Sequence, residues 1–312
     1  MYASLDRALR PRLRTFVHAV AVLSACAGIA APAAAGTYVV GNRAFPATPL
    51  TEDPFVADEV SSTVSHIRFG ASGANPATKE TEFDFGAARR LTQNLGLSVE
   101  GGYAIQQPTG GSNVYGFTNL DVTLKYQFYL NDAHELLLSG GVTREFGGTG
   151  ALRVGADSVG TTTPTIYFGK GFGDLPDSLA YLKPLAVTGT LGYQLADERG
   201  PARPDQLATG LSVQYSLRYL EGNVKYLGLP EFIDRLTPLM EISYTTPATA
   251  HPGTTTVGTV AAGVIYSGNR YDLGIEAMIQ TAGQPHSNVG VLASLHLRLD
   301  RFFSGPLFGA SE

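Results

Sequence analysis

The chain has 312 residues and a formal net charge of −5, with 44% hydrophobic but only 16% charged residues, 37 Gly, 15 Tyr and 15 Phe. Low charge with much Gly and many aromatics suits an all-β protein rich in turns, and the ordinary overall hydrophobicity excludes a bundle of apolar membrane helices. An acidic chain without basic runs also excludes nucleic acid as a partner.

The N-terminus stands apart. Arg7, Arg10, Arg12 and Arg14 precede an apolar run over 16–29, and Ala33-Ala34-Ala35 is a small-residue cleavage site. This pattern predicts a secretory signal peptide over 1–35. Leu23-Ser24-Ala25-Cys26 is a rival cut, a lipobox-like run that would lipidate Cys26, the only cysteine. Cleavage after Ala35 removes four Arg and Asp6, a net +3 out of −5, which leaves −8. The exported chain then has no thiol and no disulfide.

Residues 36–60 hold Pro46, Pro49 and Pro54 and show no alternation. Two readings stay open for them, a periplasmic lead or a partial plug that enters a lumen.

From residue 61 to 312, segments of ten to fourteen residues alternate apolar and polar between Gly/Pro/Asn/Ser clusters. Leu95, Leu97, Val99, Tyr103 and Ile105 oppose Ser98, Glu100 and Ala104; Leu120, Val122, Leu124 and Tyr126 oppose Asp121, Thr123, Lys125 and Gln127. A period of two makes strands. Soluble strands average about five to six residues, whereas these match the roughly 9–11 that a tilted strand needs to cross hydrocarbon. The reading is an all-β, transmembrane, antiparallel up-and-down β-barrel of about 12 strands. Its strands are expected at 61–70, 80–90, 94–106, 116–129, 135–147, 161–172, 184–196, 206–219, 236–247, 255–267, 270–281 and 287–300.

Short connections at 91–93, 131–134 and 268–269 should face the periplasm, and longer ones such as 71–79, 107–115, 148–160 and 197–205 the exterior. Two connections that should be short, 173–183 and 220–235, read as folded turns at the periplasmic rim. The first strand alternates least clearly, and His66 and Arg68 are read on its lumen face. Tyr and Phe near strand ends, among them Tyr103, Tyr115, Phe146, Tyr167, Tyr193 and Tyr244, are expected in two aromatic girdles.

The alternation points sixteen polar residues inward: Glu82, Asp84, Glu100, Asp121, Lys125, Gln127, Glu145, Gln214, Arg218, Glu241, Asp272, Glu276, Gln280, His296, Arg298 and Asp300. Acids outnumber bases among them. They either pair to close the interior or line a path that disfavours anions. Twelve strands lie between the filled eight-stranded barrel and the open sixteen-stranded pore, so the expected lumen is narrow or plugged.

Catalysis has one superficial candidate, His286-Ser287-Asn288, at the expected outer rim. Neighbours in a strand point to opposite faces, so an adjacent His–Ser pair cannot share a proton there. Ser294 and His296 share a face, but it is the lumen. The six His lie at no ligand spacing with another His or with Cys26. No catalytic residue, metal or cofactor is expected.

Three segments carry a family resemblance: FDFGAARRLTQNLGLSVEGGY (83–103), NVKYLGLPEFIDRLTPLMEISY (223–244) and LHLRLDRFFSGPLFG (295–309). They resemble the outer-membrane transporter family of the MetA-type phenol-degradation pathway. The resemblance implies a bacterial outer-membrane barrel passing small, often hydrophobic or aromatic compounds, and transfers no binding residue. The chain departs from many barrels by ending on Gly-Ala-Ser-Glu instead of an aromatic residue.

The expectation is therefore a passive channel or transporter for small molecules, partnered by outer-membrane lipid, the barrel assembly machinery and an unidentified cargo, with loops 148–160 and 197–205 at its mouth. The alternatives are a structural or adhesive barrel with a sealed lumen, and an outer-membrane lipid hydrolase.

Overall fold

In a computed structural model of the protein, residues 38–71, 75–200, 203–249, 255–282 and 288–299 are described. Each alternating segment has one apolar and one polar face, and an antiparallel sheet closed on itself satisfies every backbone ladder without leaving an edge. The strands among these residues are β1 (Val39–Val40), β2 (Arg43–Ala44), β3 (Glu59–Phe69), β4 (Thr78–Arg90), β5 (Leu95–Pro108), β6 (Val114–Phe117) and β7 (Leu120–Asn131). They continue with β8 (Leu136–Phe146), β9 (Thr161–Gly171), β10 (Leu185–Ala196), β11 (Gln206–Tyr215), β12 (Leu236–Pro247), β13 (Val257–Ser267), β14 (Tyr271–Ala282) and β15 (Asn288–Arg298).

Strands β3 to β15 form a closed antiparallel barrel in which sequence neighbours pair and β15 returns to β3. Both β6 and β7 run along β5 as one stave, so the described residues make twelve staves. The stave breaks at Thr118, where the Gly102 N–H donates to the Thr118 hydroxyl at 2.7 Å instead of to a backbone carbonyl. A bulge at Phe128, between Gln127 and Tyr129, disturbs the ladder to β8.

Phe85, Leu124, Tyr126, Val142, Ile166, Leu191, Met240, Ile275 and Val291 are exposed on the outer face. On a soluble protein so continuous an apolar surface would drive association; around a closed barrel it is the band that faces lipid. No described helix is long and apolar enough to cross a membrane, and the strands do the crossing. This is the fold of bacterial outer-membrane barrels, and it places the chain in that membrane.

One end of the barrel carries the short connections. Leu91 and Thr92 N–H both donate to Leu95 O in the first. Glu135 takes a left-handed conformation (φ 46°) to close the 3-10 turn Asp132–His134. The two longer connections at this end hold helical turns: Asp177–Leu182, Leu217–Tyr219, Leu220–Val224 and Glu231–Asp234.

Residues 38–58 enter the barrel from that end. The Gly41 N–H donates to Asp132 Oδ1 at 2.9 Å, and the fully buried Arg43 guanidinium sits 3.2 Å from Glu135, donates to Pro184 O at 2.7 Å and stacks on the Tyr219 ring. Tyr38, Val40, Phe45 and Phe55 form an apolar cluster with Leu137 and Ala186 of the wall. The chain turns at mid-height over Pro49–Asp53 and descends to Asp58, which accepts from the Arg90 N–H at 2.8 Å and pairs with its guanidinium at 3.1 Å. Glycines in the wall make room: a Cβ on Gly210 would lie 2.9 Å from Thr51, and one on Gly274 2.7 Å from Pro49.

The structure corrects three sequence expectations. The strand expected at 206–219 ends at Tyr215, because Ser216 Oγ accepts from the Tyr219 N–H and starts a helical turn. Arg218 therefore leaves the lumen, and its mostly exposed guanidinium reaches toward Asp234 at 4.0 Å. His66 and Arg68 lie on the outer face, sharing the parity of the exposed Val60, while Ile67 is buried inside. Tyr167 is fully buried on the inner face and belongs to no girdle, whereas Tyr115, Phe146, Tyr193 and Tyr244 are exposed. The signal-peptide segment, Cys26, His286, Ser287 and Asp300 lie outside the described residues.

Candidate functional site

Strand parity fixes which side chains reach the lumen, and their neighbours fix what each can do. Alongside the inserted segment, from Asn119 and Glu145 near the mouth to Ala88 and Gly96 near the short-turn end, lies a cavity of about 420 Å³. Seven of the expected lumen residues line it: Glu82 and Asp84 from β4, Glu100 from β5, Asp121 and Lys125 from β7, Glu145 from β8 and His296 from β15. The inserted segment adds Glu52 and Asp53, and β3 adds Glu59, Ser61 and Thr63.

The charges divide into two groups. Lys125 Nζ lies 2.6 Å from Glu52 Oε1, donates to Asp53 O at 2.8 Å and sits 4.4 Å over the Tyr167 ring. Glu241 accepts from the Leu50 and Thr51 N–H groups, each at 2.9 Å. Ser139 Oγ donates to Pro54 O at 2.5 Å. These groups hold the segment in place. Near the short-turn end Arg298 pairs with buried Asp272 at 2.5 Å, and Glu59 accepts from the Tyr38 hydroxyl. His296 Nδ1 is 3.6 Å from Glu59.

Glu82, Asp84, Glu100 and Asp121 form the second group. They face the cavity, and none has a Lys or Arg partner among the described residues. Asp121 Oδ1 has no hydrogen-bond partner, and Glu100 has only the Ser98 hydroxyl at 3.5 Å. These four neighbouring carboxyl groups, without a salt-bridge partner among the described residues, bring acidic side chains of β4, β5 and β7 together on the cavity wall. Within the inserted segment, burial pushes the Asp53 carboxyl up to about 6, against the opposing pull of Lys125.

The remaining expected residues serve other parts of the wall. Gln214 is buried against Ser212, and Glu276 is buried with neither carboxyl oxygen hydrogen-bonded. Gln127 and Gln280 lie on the inner face opposite Ser139 and Thr259. At the mouth, Glu145 accepts from Asn119 Nδ2 at 2.7 Å and from the Thr161 hydroxyl at 3.0 Å. Ala151 and Val154 of the 148–160 loop pack on the inward-facing Ala104. Arg203 joins that loop to the next through Asp157 at 2.7 Å.

Ser294 and His296 share the inner face, but Ser294 Oγ has no hydrogen-bond partner, so the two do not form a nucleophile–base pair. Asn288 Oδ1 accepts from the Gly70 N–H at 3.2 Å. No group of three or more His, Cys, Asp or Glu suited to a metal occurs among the described residues. Sequence reading missed Glu52, Asp53, Glu59, Ser61 and Thr63. The apolar Val60 and Val64, which alternate with the last three, were the available signal for them, and the first two carried none.

No family model and no curated protein sequence matches the chain. Among solved structures it is similar to the COG4313 outer membrane channel from Pseudomonas putida F1, with 11% identity and a TM-score of 0.53, over 80% of this chain and 98% of that one. It is also similar to the NanC porin (11%, TM-score 0.48) and the KdgM porin (12%, TM-score 0.44), each over 76% of this chain and 98% of theirs. At such identities the likeness is one of fold.

Proposed function

We propose that the chain is a passive outer-membrane channel for small molecules, narrowed from its periplasmic end by residues 38–58. The observation that carries this reading is the open 420 Å³ cavity bearing four carboxylates with no cationic partner. A barrel sealed for structure alone gains nothing from unpaired acids on its inner wall, since buried charge is costly unless paired. A conducting path uses them, because water and passing cations solvate them. The field of these acids favours cations and neutral polar solutes over anions. The resemblance of 83–103, 223–244 and 295–309 to the phenol-pathway transporters suggests small aromatic cargo, which this field restricts to uncharged or cationic species.

The inserted segment is the natural gate. It is held by hydrogen bonds and ion pairs spread over β4, β7, β8 and β12 and is tied to the wall at Arg43 and Asp58, so its central turn can leave while both ends stay anchored. Purified protein in planar bilayers under a KCl gradient tests the reading. The expected result is a small, flickering current with a cation-selective reversal potential. Absence of current with any salt or solute would overturn it in favour of the sealed barrel.

A further inference from the structure

One patch on the lipid-facing surface departs from the apolar band. Arg68 of β3 and Lys79 of β4 are direct cross-strand partners, both exposed and both on the outer parity. Like charges directly opposite one another destabilise a ladder. Among the described residues neither is paired with a carboxylate, whereas Arg144, Arg199 and Arg203 at the same end are paired with Asp197, Asp205 and Asp157.

The patch sits at a defined height. Arg68 is nine residues along β3 from Glu59; at about 3.3 Å per residue and a tilt near 40° this is roughly 23 Å, against an apolar band roughly 25 Å tall. The two cations therefore stand at the external edge of the band. One pair of rungs below, His66 Nδ1 and the Thr81 hydroxyl are hydrogen-bonded at 2.9 Å, and below them Val64 faces Phe83. Along this strip the surface runs from apolar to hydrogen-bonding to cationic. An outer-leaflet glycolipid places acyl chains, sugar and phosphate in the same order.

We propose that Arg68 and Lys79 bind a phosphate of a phosphorylated glycolipid of the lipid A class, with His66 and Thr81 meeting its sugar. The phosphate supplies the counter-charge that the described residues do not, and two cations on adjacent strands suit its several acceptor oxygens.

The test titrates bis-phosphorylated lipid A into the full barrel in detergent micelles and counts bound lipid by native mass spectrometry. The Arg68→Gln/Lys79→Gln double variant should bind about tenfold more weakly or worse, the loss of about one charge-assisted contact. The charge-keeping Arg68→Lys/Lys79→Arg swap should stay within about threefold of the parent, and lipid A stripped of phosphate should bind parent and double variant alike. Equal affinity of the parent for phosphorylated and stripped lipid would overturn the proposal even if a variant failed to fold. So would a double variant that binds as the parent does.

Discussion

Leu50 and Glu241 meet at mid-height in the barrel, the Leu50 N–H donating to one oxygen of the Glu241 carboxylate at 2.9 Å while Thr51 donates to the other at 2.9 Å. A carboxylate that accepts two backbone N–H groups in a buried site is a directed latch, since each such bond contributes more than a neutral one. Leu50 also packs on Ile67, Ala261, Met278 and Leu292, so polar and apolar contacts fix the same turn. This turn is the part of 38–58 furthest from both anchors, and on the proposed reading its seating sets the width of the bore.

Replacing Glu241 by Gln presents an amide NH2 to one of the two N–H donors. The seat loses one charge-assisted bond and gains a clash of donors, a change of about 2 kcal/mol. Channel open probability should rise by about tenfold or more, with little change in single-channel amplitude. An open probability equal to that of the parent would show that Glu241 does not hold the gate.

Neutralising Glu100 and Asp121 together removes two of the four unpaired carboxylates around the cavity. Reversal potentials in a KCl gradient should move toward zero, and the seated segment should be undisturbed because neither residue bonds to it. Unchanged reversal potentials in Glu100→Gln/Asp121→Asn would remove these groups from the path.

The gate should respond to pH through Asp53. Seated, its carboxyl is raised to about 6 by burial; released to water, it returns to about 3.9. Between those values the seated form binds more protons, so seating weakens as pH rises from about 3.9 to about 6 and levels off above that. Open probability should climb between about pH 4 and 6 and then level off, and Asp53→Asn should flatten that climb. Superimposable profiles for parent and variant would contradict the assignment.

Asp58 anchors the end of the segment where β3 begins. It accepts from the Arg90 backbone at 2.8 Å and from the Arg90 guanidinium at 3.1 Å, with Arg89 at 3.6 Å. Asp58→Ala leaves the buried Arg90 guanidinium without this acid, a loss of about 3 kcal/mol. Urea unfolding in micelles should show a lower midpoint than for the parent. An unchanged midpoint would mean that the anchor is not structural.

The barrel was legible in the sequence because its signal is local: a period of two tells each residue which face it takes, without knowledge of any partner. The reading failed where something nonlocal or finer took over. Ser216 ends β11 by capping a turn, a choice that the alternation through Leu217 and Tyr219 conceals. His66 and Arg68 were misplaced because polarity was given more weight than the parity set by Val60 and Val64. The arrangement of 38–58 was not readable, because its partners Lys125, Ser139 and Glu241 lie 72 to 191 residues away and leave no periodic mark.

The central claim, that residues 38–58 gate the lumen, is tested most directly by fixing the turn to the wall. Thr51 and Gly210 are close enough for a bridge, with a Cβ on Gly210 falling 2.9 Å from Thr51 Cγ2. In a Thr51→Cys/Gly210→Cys variant, planar-bilayer current should fall when the disulfide forms and return when it is reduced. Equal currents before and after reduction, with the bridge verified by mass, would contradict the account.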